Sequence, residues 1–129
     1  MAHYLVTGGV GFIGTHLVGK LIESGHAVTV LDDLSAGKEE NLVPGAKLVI
    51  GDINDEALVT SLLKDAKDGC FHLAAIPSVE RCLNEWQTVS RINVLGTISV
   101  FEACRKQPKP VPVVYASSAA VYGLSLIHI

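Results

Sequence analysis

Three cysteines, Cys70, Cys82 and Cys104, are scattered through these 129 residues with no Cys-x-x-Cys spacing. An odd, unclustered set excludes a disulfide framework and a structural zinc site. Cys70 and Cys104 read instead as small core residues. A lysine or arginine block is also missing. Ten basic residues against thirteen acidic ones leave a formal net charge of −3, so neither nucleic acid nor an anionic membrane is an expected partner. Every apolar run is interrupted well short of a membrane span. The first residues, Met1 to Val6, lack the basic start and long apolar stretch of a signal peptide, and the expected location is the cytoplasm. No low-complexity segment is present.

What the chain does have is apolar bulk. Hydrophobic residues make up 49% and charged residues 18%, which suits one globular domain. The mean hydropathy of +0.40 is expected of strands buried on both faces. Short apolar runs alternate with helical patterns. Tyr4-Leu5-Val6 reads as a strand, and Phe12 to Ser24 as a helix with Ile13, Leu17 and Leu21 in its stripe, Val18 and Ile22 beside them, and Gly25 as its stop. Ala27–Leu31 and Lys47–Ile50 are the next strands, with a loop or short helix between Ser35 and Pro44. Asp55 can cap a helix running to about Lys67, striped by Leu58, Leu62 and Ala66 with Leu63 adjacent. Cys70–Ala74 is the fourth strand. Residues 78–85 carry no clear pattern. Trp86 to Lys106 reads as one long helix with Val89, Ile92, Val100 and Ala103 on one side, ended by Pro108, Pro110 and Pro112. Val113–Ala116 is the fifth strand. That β-α-β alternation predicts an α/β, Rossmann-type, doubly wound parallel sheet of about five strands with helices on both faces.

The turn after the first strand carries three glycines, Gly8, Gly11 and Gly14, in a T-G-x-x-G-x-x-G frame. Gly8 suits a tight turn, Gly11 leaves room for a pyrophosphate, and Gly14 lets the helix pack closely. The helix start offers free N–H groups and a positive dipole end to phosphates. A glycine triplet alone could be a mere turn. Here it links a strand to a helix, and Asp32 follows Gly14 by 18 residues at the end of the second strand. A carboxylate there binds ribose hydroxyls and repels a 2′-phosphate. With Asp33 beside it, the cofactor expected is NAD rather than NADP.

At these residues the chain resembles the extended short-chain dehydrogenase/reductase family, and within it the NAD-dependent epimerases and dehydratases. Thr7 to Gly14 matches TGGxGFIG, so Phe12 and Ile13 join Gly8, Gly11 and Gly14 as cofactor-binding positions. Leu31 to Ser35 matches LDDLS, Gly51-Asp52-Ile53 matches GD(I/L/V), and His72 to Ala75 matches HLAA. Asn93 to Thr97 matches NVxGT, and Ser117 to Gly123 matches SSxxVYG. The resemblance implies that Asp52 meets the adenine amino group, Ile53 packs on its ring, and the backbone of Leu73, Ala74 and Ala75 lines the cofactor. It implies that Asn93 holds nearby backbone and that Ser118 is the catalytic hydroxyl on the substrate's C4 oxygen. Structural readings stand beside these. Asp52 also suits a turn cap, Leu73 and Ala74 suit core, Asn93 suits a satisfied buried amide, and Ser118 suits a polar strand end with Ser117 as its substitute. His72 and Tyr122 read as packed structural residues, and Pro77 and Ser78 decide nothing.

The family's chemistry also needs a Tyr-x-x-x-Lys pair, one face of a helix carrying a base whose pKa the lysine lowers. No such pair occurs in this chain. The expectation is therefore an incomplete NAD-binding domain at 1–123, truncated before the lobe that would hold a nucleotide sugar and inactive alone. The last six residues, 124–129, depart from the family pattern and match the translation of a transposon end used in preparing sequencing libraries. They are expected to be a non-native tail. For the parent protein the resemblance implies a homodimeric UDP-hexose 4-epimerase working through a 4-keto sugar. A nucleotide-sugar 4,6-dehydratase comes second, and Ser118-Ala119-Ala120, with neither threonine nor acid, leans to the epimerase. A non-catalytic NAD-binding module, such as a redox-sensing regulator, is the alternative outside enzymes. No metal site is expected.

Overall fold

In the computed structural model, which describes residues 1–123, five strands pair in parallel in the order β3-β2-β1-β4-β5. They are β1 (His3–Thr7), β2 (Ala27–Asp32), β3 (Lys47–Ile50), β4 (Gly69–His72) and β5 (Val113–Tyr115). The expected foreign tail, 124–129, lies outside the described residues.

Alternation along β1 shows why helices cover both faces. Leu5 points into a core built with Val59 and Leu63 of α2 (Glu56–Asp65) and with Val100, Ala103 and Cys104 of a later helix. Its neighbour Val6 points the other way, joining Val28, Val30 and Val18 of α1 (Phe12–Glu23). Successive side chains of a strand face opposite sides, so one strand nucleates two cores. Complete burial of a side chain such as Leu5 contributes about 2 kcal/mol.

Gly25 ends α1 as expected. It sits at φ +85°, and the amides of Gly25 and His26 close on the Ile22 and Leu21 carbonyls, the paired bonds of a Schellman stop. Asp55 caps α2, accepting the Leu58 N–H at 3.1 Å. The helix faces are rotated from the sequence reading. Ile13 is 63% exposed, and Gly14 and Val18 are the buried positions of α1. In α2 the fully buried positions are Val59 and Leu63, with Leu58 and Leu62 only partly buried, while Ala66 just past its end is buried as expected. The unassigned stretch holds α3 (Val79–Asn84), whose N-cap Ser78 accepts the Arg81 N–H at 3.2 Å.

The expected long helix is three pieces: α4 (Trp86–Ser90), a π turn (Arg91–Leu95) and α5 (Gly96–Arg105). The Gly96 N–H reaches back to the Arg91 carbonyl, and Asn54 Nδ2 donates to the same oxygen at 3.0 Å. A side chain from outside the helix thus supports the wider turn, a cause that helix periodicity does not contain. After the prolines, Val111 tucks into the core and its N–H bonds the Cys104 carbonyl at 3.1 Å. Cys70 and Cys104 are both buried, the core role expected of them.

Candidate functional site

From β1 the chain crosses to β2 on one side and later returns to β4 on the other. The loops leaving the carboxyl ends of these strands therefore diverge and open a crevice between them, where ligands of doubly wound sheets bind. The crevice is a cleft of about 430 Å³. Gly8 and Gly11 to Gly14 form one wall, Leu31 to Asp33 with Ser35 to Gly37 a second, and Leu73 to Pro77 a third; Gly51, Ile53 and Ile92 also line it.

The three glycines have separable reasons to be glycine. Gly8 has φ +70°, and a Cβ there would lie 2.9 Å from the Ala74 amide nitrogen, so both conformation and space demand it. A Cβ on Gly14 would run into the Gly8 carbonyl and stand 2.7 Å from Gly9 Cα. Gly14 therefore seats α1 on the turn's own backbone, a closer partner than the sheet anticipated for it. Gly11 differs. Its backbone is extended (φ −77°, ψ −179°), open to any residue, and a Cβ would meet a single protein atom, Gly8 O, at 3.3 Å. Neither its conformation nor the surrounding protein demands a bare position as Gly8 and Gly14 do, yet it faces the cleft.

Asp32 closes β2 and is only 8% exposed. Its Oδ1 accepts the Leu34 N–H at 2.9 Å, and its Oδ2 lies 3.4 Å from the Val10 N–H. The carboxylate is thus aimed by backbone at the rim of the cleft. The turn that supplies the Leu34 amide holds Leu34 at φ +61°, a left-handed position that costs a non-glycine residue about 1 kcal/mol. Asp33 stands exposed beside it and accepts both the N–H and the hydroxyl of Ser35, at 2.9 and 2.6 Å.

The third wall begins where β4 stops. The strand ends at His72, before the expected Ala74, because the next amides turn to a side chain. Thr7 Oγ1 receives the Ala74 N–H at 3.1 Å and shares the Leu73 N–H, also 3.1 Å away, with the Thr7 carbonyl. At the far end of the wall Asn93 holds Ile76 by both its N–H and its carbonyl. His72 is buried between Thr7 and Thr97, and desolvation lowers its pKa to about 4. That is the packed structural histidine the sequence suggested.

The cleft thus gathers Gly8, Gly11, Phe12, Ile13, Gly14, Asp32, Asp33, Ile53, Leu73, Ala74 and Ala75. Three expected site residues stand off its surface. Asn93 acts on the wall from behind. Asp52 pairs with Arg91 and accepts the Asn54 N–H at 2.8 Å. Burial pushes the Asp52 carboxyl upward, but Arg91 and Asn54 outweigh it and hold the group below the usual carboxylate range. Ser118 is exposed, and its Oγ accepts the Ala120 N–H at 3.1 Å, capping the short turn Ala119–Tyr122. Ala116, two residues earlier, does reach the cleft. Among the described residues no group of His, Cys, Asp and Glu could hold a metal ion, and no helix is long and apolar enough to cross a membrane.

Sequence reasoning gave no role to Thr7, Thr97 or the Ser35–Gly37 turn. Thr7 and Thr97 sit inside quoted motifs, so the signal was present, but only the fold shows what they hold. Gly37 abuts Val10, with a Cβ there 2.8 Å from the Val10 carbonyl.

The model of the NAD dependent epimerase/dehydratase family matches residues 4–127. Over 119 residues the chain is 40% identical to a putative UDP-glucose 4-epimerase of Methanocaldococcus jannaschii, covering 92% of this chain and 39% of that protein. It is 39% identical over 125 residues to a dTDP-glucose 4,6-dehydratase of Mycobacterium tuberculosis, covering 92% and 37%. The crystal structure of the UDP-glucose 4-epimerase of Brucella ovis in complex with NAD superposes with a TM-score of 0.88 at 36% identity, covering 96% of this chain and 38% of that one. The chain therefore spans about two fifths of the length of these relatives.

Proposed function

This chain belongs to the NAD-dependent epimerase/dehydratase family, and from that premise we propose that it is the NAD-binding part of a nucleotide-sugar epimerase of the UDP-hexose 4-epimerase kind. The observation that carries the cofactor reading is Gly11, a bare backbone position facing the cleft with Asp32 in a neighbouring wall. A diphosphate needs such an approach and an adjacent helix start. NAD, when bound, supplies an acceptor and donor of hydride for a sugar carbon.

The chain's residues then divide the remaining work. Gly8, Gly11, Phe12, Ile13 and Gly14 receive the diphosphate. Asp32 accepts from the adenosine ribose hydroxyls, and with Asp33 it disfavours a 2′-phosphate. Asp52 and Ile53 serve the adenine, Leu73 to Ala75 line the cofactor, and Asn93 fixes that lining. Ser118 holds the sugar's C4 oxygen; its exposure and the nearness of Ala116 to the cleft support that placement. The 4-epimerase names of the M. jannaschii and B. ovis relatives support the substrate class. The dehydratase relative supports the second reading, and Ser118-Ala119-Ala120 favours the first.

We place the whole protein in the cytoplasm and propose that it is a homodimer, the dimer being supported by the exposed Leu83, Trp86, Leu95 and Ile98 on the α3–α5 side. Lacking Tyr-x-x-x-Lys, the 129-residue chain is expected to bind NAD without turnover. The test is calorimetric titration of the chain with NAD, followed by fusion of residues 1–123 to the remaining part of a UDP-glucose 4-epimerase. NAD binding with C4 inversion of UDP-glucose by the fusion, lost in Ser118→Ala, supports the reading. A folded chain that binds no NAD overturns it.

A further inference from the structure

We propose that Thr7, His72 and Thr97 form one directional hydrogen-bond chain that positions the cleft wall Leu73–Ile76, with His72 held neutral as the Nε2–H tautomer. Both ends of the imidazole require this tautomer independently. Thr7 Oγ1 already receives the Ala74 N–H and part of the Leu73 N–H. Its lone pairs are engaged, so its own O–H donates to His72 Nδ1, 2.7 Å away. At the other end, Thr97 donates its O–H to the Asn93 carbonyl at 2.7 Å, leaving its oxygen to accept from His72 Nε2 at 3.0 Å. The polarity runs Thr7 to His72 to Thr97 to Asn93, and the Asn93 amide grips Ile76.

One chain thus joins Leu73 and Ala74 to Ile76 through a ring buried beneath the wall. Moving the proton to Nδ1 would put a second hydrogen between Thr7 Oγ1 and Nδ1 and leave the Thr97 oxygen without its donor. The three residues touch no cleft surface, so they are positioning residues. Their bearing on NAD rests on the cofactor reading above, whereas the tautomer and the state of the wall do not.

The test is proton–nitrogen NMR of the uniformly nitrogen-15-labelled 129-residue chain, with a long-range spectrum for the imidazoles and His72 assigned by its loss in His72→Gln. The expected spectrum shows a bare Nδ1 and a protonated Nε2 without any cofactor. Thr97→Val is expected to shift the Ile76 and Asn93 amide resonances and to weaken NAD binding at least fivefold, and Thr97→Ser to restore both. An Nδ1–H tautomer, or a Thr97→Val chain with the wall resonances unmoved, overturns the proposal. If the tautomer and the resonance shifts are as expected but wild type binds no NAD, the cofactor reading fails and the positioning chain stands.

Discussion

Asn93 holds Ile76 at two points: its Oδ1 accepts the Ile76 N–H at 2.8 Å, and its Nδ2 donates to the Ile76 carbonyl at 3.0 Å. A side-chain amide thereby takes the place of a strand partner for backbone that has left the sheet. Removing it leaves one donor and one acceptor unpaired, at about 1–3 kcal/mol for each that water does not reach. Asn93→Ala is expected to lower the urea midpoint correspondingly and to weaken NAD binding. Asn93→Asp, which keeps only the acceptor, should fall between. Unchanged stability and affinity in both would remove Asn93 from the site.

Gly11 and Gly14 are three residues apart and should fail in opposite ways. In Gly14→Val the new side chain enters the Gly8 carbonyl and Gly9, so the chain is expected not to fold. In Gly11→Ala the one close atom, Gly8 O at 3.3 Å, can give by a few tenths of an ångström, and stability should change by no more than about 1 kcal/mol. NAD affinity should nonetheless drop tenfold or more. Circular dichroism melts with calorimetry separate the two effects.

His72 should make stability depend on pH in one direction. Its usual pKa near 6.5 applies to the unfolded chain, and burial among Thr7, Thr97 and the Phe101 ring lowers the folded value to about 4. Above pH 6.5 both states are neutral and nothing is lost. As pH falls from 6.5 toward 4, the unfolded chain takes up a proton that the folded one refuses, so stability declines by about 3 kcal/mol and then levels. Subtracting the urea-derived profile of His72→Gln from that of wild type should isolate this decline. Parallel profiles would show that His72 titrates normally.

The proposed role of Asp32 in cofactor choice acts through charge. Asp32→Ala is expected to cost NAD affinity while relieving repulsion of a 2′-phosphate, so the ratio of NAD to NADP affinity should fall by at least tenfold. Because Asp32 also accepts the Leu34 N–H, Asp32→Asn is the gentler control for folding. A ratio unmoved by both would place the ribose elsewhere.

The foreign origin expected for residues 124–129 is checked by independent amplification and sequencing of the source DNA across the Gly123 codon. A frame continuing into a Tyr-x-x-x-Lys helix is the expected outcome. A stop directly after Ile129 would favour a cofactor-binding module without catalysis.

Much of the fold around the cleft was legible because its residues answer to local rules. Asp55 caps the helix that begins beside it, Gly25 stops the helix that ends beside it, and Gly8, Asp32 and Leu73 sit at strand ends where loops must turn. The helix faces were harder to read. Ile13 lies on an apolar stripe yet faces the cleft, because an apolar residue lining a site and one lining a core look alike in periodicity.

By itself the sequence determined the strand and helix alternation, the glycine turn and its distant acid, since period, chirality and backbone freedom act over a few residues. The tertiary structure alone decided that Thr7, His72 and Thr97 link up with Asn93 behind one wall, that Arg91 faces Asp52, and that the long helix widens at Arg91–Leu95 over Asn54. Each of these joins residues distant along the chain or answers to such a partner, and only the packing of one element on another states which polar groups will be left to pair.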